Sequence, residues 1–193
     1  IKSVRISLDS HWDFSADVIL QSAEENNSKI IFLSYPNNPT GNCFSDTQVQ
    51  KVIESFQGIV VIDEAYHDFS RKSFINQIEE HNNLVVLRSL SKIGLAALRV
   101  GFGVADTLVI SEINKVRLPY NSNTISQAFA DHLITNFEPV QTQIDSILEE
   151  RHRLLGELHK IESVTAFPSD SNFILFKTKH PAGSILTFLA QNG

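Results

Sequence analysis

The 193-residue chain has one cysteine, Cys43, and no methionine. A single thiol cannot close an intramolecular disulfide, which excludes a disulfide-stapled scaffold and fits the reducing cytoplasm as the expected location. Cys43 itself reads as an unreactive loop thiol. No run of about 18 apolar residues occurs, so no membrane-spanning helix is expected, and no signal-peptide pattern opens the chain. An excess of positive charge is also missing. Lys and Arg number 16 against 22 Asp and Glu, a formal net charge of −6 with both signs interspersed. That pattern excludes the basic footprint of a nucleic-acid or anionic-membrane binder. Neither G-x-G-x-x-G nor G-x-x-x-x-G-K-[ST] is present, which removes the common nucleotide-phosphate loops. No His/Cys/Asp cluster has ligand spacing, so no metal is expected. Opening on Ile1 without any methionine, the chain reads as a piece of a longer polypeptide cut at both ends.

What is present is an ordinary globular composition, 42% hydrophobic and 20% charged. SVRISLD (3–9) alternates apolar and polar residues, which predicts a short strand. Apolar residues at helical spacing after Ser15 predict a helix over 13–26, and Ser45 opens a second over 45–56. KIIFLSY (29–35), GIVVIDEAY (58–66), NLVVLRSL (83–90) and LRVGFGVA (98–105) predict strands; the continuous apolar run of the first predicts burial on both faces. Strand–helix–strand order with such strands means an α/β fold, a mainly parallel sheet sandwiched by helices. Helices are expected at 107–117, 122–135 and 139–160. Strands at 164–169 and 172–178 and a helix at 182–192 then suggest part of a smaller α+β unit. A boundary at residue 145 divides the chain into 1–145 and 146–193.

Ligands of doubly wound sheets bind beyond the carboxyl ends of the strands. Those ends carry Asn38 after the first long strand, Asp63 and Tyr66 after the second, and Ser89, Ser91 and Lys92 after the third. Arg99 begins the fourth. An amide, a carboxylate, a phenol, two hydroxyls and two cations are therefore expected to converge at one rim.

Three motifs in this order, NNPTG (37–41), VIDEAYHDF (61–69) and SLSKIGLAALRVG (89–101), resemble the large domain of the fold-type I pyridoxal-phosphate enzymes. The resemblance implies pyridoxal 5′-phosphate as cofactor and 1–145 as the domain that binds it. It implies that Lys92 bonds covalently to the cofactor aldehyde and then serves as the general base of the proton shift. Asp63 would face the pyridine nitrogen and keep it protonated. Tyr66 and Asn38 would hydrogen-bond the ring's 3′ oxygen. Ser89, Ser91 and Arg99 would hold the phosphate, Arg99 with a bidentate fork. Arg99 stands seven positions after Lys92, one fewer than in many relatives. Gly94, Ala96 and Ala97 would let backbone approach the phosphate, and Gly41 with the prolines of 36–39 would supply turn geometry. His11 and His67 read as ordinary polar residues.

The wording YPNNPTG, LRSLSKIGLAALRVGF, KVRLPYNSN and PSDSNFILFK is similar to the histidinol-phosphate aminotransferase family. That resemblance implies amino transfer between histidinol phosphate and 2-oxoglutarate or glutamate, in histidine biosynthesis, by a cytoplasmic homodimer. It implies no nucleic-acid or membrane partner, and it makes Tyr120 and Asn121 candidate substrate contacts. Aromatic and aspartate-type aminotransferases and threonine-phosphate decarboxylases share much of the wording. A non-catalytic sensor domain that binds the cofactor is the remaining alternative. The resemblance also implies parts outside these residues: an upstream phosphate-binding helix and ring-stacking aromatic, a downstream carboxylate-gripping arginine, and a partner-subunit tyrosine. The 193-residue chain alone is therefore expected to be inactive.

Overall fold

A computed structural model describes residues 2–192. Its central sheet runs β1 (Ile30–Ser34), β2 (Ile59–Asp63), β3 (Leu84–Ser89) and β4 (Gly101–Ala105), in that spatial order. The first three strands are parallel, and β4 lies antiparallel on β3. Helices α1 (Ala16–Glu25) and α2 (Asp46–Ser55) pack side by side. Their apolar stripes, Ile19 and Ala23 on one and Val49, Val52 and Ile53 on the other, are buried in one core with Ile31, Leu33, Val60, Ile62, Leu84 and Val86 of the sheet. Burying such side chains contributes about 1.5–3 kcal/mol each, an upper figure because denatured chains are themselves compact.

A second core gathers beyond the carboxyl ends of β2 and β3. Tyr66, Phe69, Leu90 and Ile93 pack there on Ala130 of α5 (Thr124–Thr135) and on Val140 and Ile144 of α6 (Glu138–Leu158). Between Tyr66 and Leu90 lie the short helix α3 (His67–Ser70) and a 3-10 turn at Ile75–Gln77; α4 (Thr107–Val116) follows β4. The chain ends in a hairpin, β5 (Val164–Ala166) against β6 (Phe176–Thr178), and α7 (Ala182–Asn192). Helix α6 passes through residue 145 without a break. Among the described residues, no helix is long and apolar enough to cross a membrane.

Several expectations need correction. Residues 3–9 form no strand: alternation supplies a pattern, but a strand also needs a hydrogen-bonded neighbour, and no ladder reaches them. β1 is not buried on both faces. Among the described residues β2 is its one ladder neighbour; Ile31 and Leu33 face the core while Phe32 is 69% exposed. The expected strand at 98–105 starts only at Gly101, because Ala96–Leu98 form a 3-10 turn and Arg99 takes a left-handed φ of 56°. Ser15 and Ser45 do precede α1 and α2, yet neither side chain caps its helix.

Cys43 follows the NNPTG loop. Burial, reinforced by the Asp170 carboxylate, pushes its thiol up to about 12. Burial and the hydroxyl's hydrogen bond to Asp46 Oδ1 (2.5 Å) likewise push the Tyr35 phenol upward. A raised folded value favours the neutral form. The stability Cys43 contributes is thus complete below its ordinary value of 9.0 and is lost as pH climbs from there toward 12. At pH 8 the folded thiol reacts with a disulfide reagent about a hundredfold or more slowly than the denatured chain. Equal rates in the two states would refute this burial effect.

Candidate active site

The sheet register explains why the site residues meet. Asp63 pairs with Leu87, and Leu87 with Gly103 across the next ladder. This row sets the end of β2 two residues short of Ser89, which itself pairs with Gly101. Parallel strands ending together present their last side chains and the following loops to one space. That space is a cavity of about 590 Å³, lined by Asp63, Ser89, Ser91, Lys92 and Arg99, with Gly101, Phe102 and Gly103 of β4 forming another wall. A cavity of this size suits a small cofactor. Glycine at 101 lets the strands close: a Cβ there would stand 2.9 Å from the Arg88 carbonyl oxygen.

Lys92 lies in a 3-10 turn, Leu90–Ile93, whose Leu90 and Ile93 are buried in the second core. Two apolar anchors therefore hold the turn, and the lysine projects from between them. Its Nζ stands 5.1 Å from the Tyr66 ring centroid, a favourable cation–π placement. It forms no ion pair with any described carboxylate. Tyr66 is fixed from three sides. Asn38 Nδ2 donates to its hydroxyl (3.0 Å), Phe173 packs edge-on at 5.3 Å, and the ring is buried in the second core. Asn38 and Tyr66 do not line the cavity itself; they join it through Lys92.

Asp63 accepts the Ala65 N–H at Oδ1 (3.0 Å), which orients the carboxylate and leaves Oδ2 open to the cavity. Ser89 Oγ accepts the Ser91 N–H (3.1 Å), capping the turn, and its hydroxyl proton remains free to donate. Arg99 donates only one long bond, Nη1 to the Ala96 carbonyl at 3.3 Å. The rest of its guanidinium is uncommitted. Gly94 has a φ of 89° and ends the 3-10 turn, and a Cβ there would meet no protein atom within 4 Å. Gly41 is different: φ is 82°, and a Cβ would come 2.9 Å from Ser169 Oγ.

The structure does not bring Tyr120 and Asn121 to this cavity. Tyr120 is 98% exposed with φ 59°, and Asn121 Oδ1 accepts a long bond (3.5 Å) from Arg117. Three features of the site were not anticipated from sequence. Phe173 packs on Tyr66. Asp170 clasps the NNPTG loop, accepting the Cys43 N–H (2.8 Å) and donating its own N–H to the Gly41 carbonyl (2.7 Å). Buried Glu64 pairs with the half-buried Arg88, which lines the cavity. Only the last left a legible signal, charged residues at the ends of two otherwise apolar strand segments.

The chemistry of this donor set fits a phosphorylated aldehyde with a basic ring. It offers a lysine without a counter-ion, a carboxylate with a free oxygen, two hydroxyls and an open guanidinium on one cavity wall.

Comparison with known proteins agrees. The histidinol-phosphate aminotransferase of Flavobacterium johnsoniae is 43% identical over 180 residues, 92% of this chain and 51% of that protein. Histidinol-phosphate aminotransferase 2 of Nitrosococcus oceani is 40% identical over 184 residues, 94% of this chain and 51% of that protein. The chain thus spans about half the length of these curated relatives. Among solved structures, the Sinorhizobium meliloti histidinol-phosphate aminotransferase in complex with pyridoxal-5′-phosphate has a TM-score of 0.84 at 20% identity. The match covers 97% of this chain and 52% of that one. The model of the family "aminotransferase class I and II" matches residues 2–189, and this chain belongs to that family.

Proposed function

We propose that the chain is the cofactor-binding part of a pyridoxal-phosphate-dependent aminotransferase that acts on histidinol phosphate and 2-oxoglutarate or glutamate. The observation that carries this reading is the placement of Lys92. It has no ion-pair partner, stands over Tyr66, and shares a cavity wall with Asp63, Ser89, Ser91 and Arg99. When bound, pyridoxal 5′-phosphate supplies an aldehyde and an electron-accepting ring. Lys92 Nζ would hold that aldehyde and would move the proton at the donor's Cα. Asp63 would hold a proton at the ring nitrogen, and Tyr66, which Asn38 steadies, would hydrogen-bond the ring oxygen. Arg99 and the two serines bind the phosphate.

Histidinol phosphate as donor is supported by the relatives' identity of about 40% over most of this chain. In this reading residues 1–145 hold the cofactor, 146–193 begin a second unit, and the functional form is a cytoplasmic homodimer working in histidine biosynthesis. Exposed apolar residues on and after α4, among them Leu108, Val116 and Leu118, provide surface suited to such assembly. Tyr120 and Asn121 would reach substrate only in that assembled form.

The test is a donor panel on the complete polypeptide containing this chain, loaded with pyridoxal phosphate. Histidinol phosphate is expected to give a kcat/KM about a hundredfold or more above phenylalanine, aspartate and threonine phosphate, a margin that a few specific polar contacts supply. Comparable values for another donor would refute the assignment of histidinol phosphate.

A further inference from the structure

Glu64 is the one charged side chain fully buried among the described residues, at 1% exposure. It follows Asp63 directly, yet it does not line the cavity. Its Oε1 accepts the Phe74 N–H (2.7 Å), its Oε2 accepts Arg88 Nε (3.1 Å), and the Ser73 hydroxyl lies within hydrogen-bond distance of both oxygens. Arg88 Nη2 donates to Ser73 Oγ (2.8 Å) as well, while Arg88 itself lines the cavity beside Ser89. Three segments are thereby tied at one point: the end of β2, the end of β3, and the stretch after α3.

A buried ion pair adds little net stability, because desolvation offsets most of the attraction. What it fixes is geometry. One residue from Glu64 stands Asp63, and two residues on stands Tyr66; one residue from Arg88 stands Ser89. Resting on the functional reading above, we propose that Glu64, through Arg88, is a positioning residue for the cofactor cavity. It sets the gap between Asp63 on one strand and Ser89 and Ser91 beyond the other. It also keeps the Arg88 guanidinium against the cavity wall, so that a bound phosphate is held by Arg99 and the hydroxyls instead of Arg88.

The experiment compares Glu64→Gln and Arg88→Lys with the unmodified complete polypeptide. It measures pyridoxal-phosphate affinity, visible circular dichroism per bound cofactor at saturation, and the melting midpoint without cofactor. Both variants are expected to bind the cofactor about tenfold or more weakly. Their visible dichroism is expected to differ from the unmodified protein even when fully loaded, since the cofactor sits askew between strands no longer fixed. Arg88→Lys keeps the charge at a partly exposed position, so it supplies the answer if Glu64→Gln does not fold. A lowered melting midpoint with unchanged dichroism and affinity would overturn the positioning role and leave a structural one. An unmodified protein that takes up no cofactor would overturn the functional reading, and this inference with it.

Discussion

Lys92→Ala in the complete polypeptide is expected to cut transamination by about 10⁴-fold. The size follows from two losses at one atom. Among the described residues Nζ is the cavity's only amine, and on the proposed reading the same nitrogen would be the base at the donor's Cα. No described neighbour can take over. The His67 ring is turned away, with its Nδ1 3.1 Å from the Lys72 carbonyl oxygen. The Arg99 guanidinium offers donors and no acceptor, so it cannot act as a base. On the proposed reading Ser89, Ser91 and Arg99 would still hold the phosphate, so cofactor uptake should survive without a covalent bond. Side-chain packing should survive too, because Leu90 and Ile93, rather than Lys92, anchor the turn. The check is a pair of measurements, steady-state turnover and equilibrium cofactor binding. Loss of turnover with retained binding is the expected pair.

Asp63→Asn is expected to lower kcat by about a hundredfold or more while cofactor binding changes little. Asparagine keeps the shape and can still accept the Ala65 N–H that orients the side chain. It cannot hold a proton at the ring nitrogen, so the ring accepts electron density less readily. Losing one preorganised electrostatic contact to charge that develops in the transition state costs about 10²–10³ in rate. Asp63→Glu is the informative companion. It keeps the charge but adds a methylene in a position where the Asp63–Leu87 register fixes the backbone. A kcat for Asp63→Asn within about twofold of the unmodified protein would remove the carboxylate from the chemistry. The effect should appear in kcat rather than in cofactor affinity, unlike the changes expected for Glu64→Gln.

Much of this architecture was readable in the sequence, for identifiable reasons. The apolar runs around 30–34, 59–63 and 84–89 are long enough, and rich enough in β-branched residues, to be strands in most contexts. The topological rule that sites form at strand ends then places Asp63, Ser89, Ser91 and Lys92 together before any coordinates are known. What sequence could not give was pairing. Residues 3–9 carry a strand's alternation without a ladder partner among the described residues, and Phe32 is apolar yet 69% exposed. Both outcomes depend on what lies alongside, which is a property of the fold rather than of the segment.

The tertiary supports of the site were hidden for the same reason. Asp170 and Cys43 are separated by 127 positions, and Phe173 is almost as far along the chain from the Tyr66 ring it braces. No local period encodes such contacts. They are nonetheless what joins the two ends of the chain: Asp170 and Ser169 grip the NNPTG loop, and Phe173 braces the Tyr66 ring that Asn38 also holds. The proposed cofactor-binding portion and the segment beyond residue 145 are therefore tied together at the site.

The most direct measurement of the central claim is borohydride reduction of the pyridoxal-phosphate-loaded protein, followed by peptide mapping. A single stable adduct on the peptide carrying Lys92, absent from Lys92→Ala, is the expected result. No adduct, or an adduct on another lysine such as Lys72 or Lys115, would contradict it.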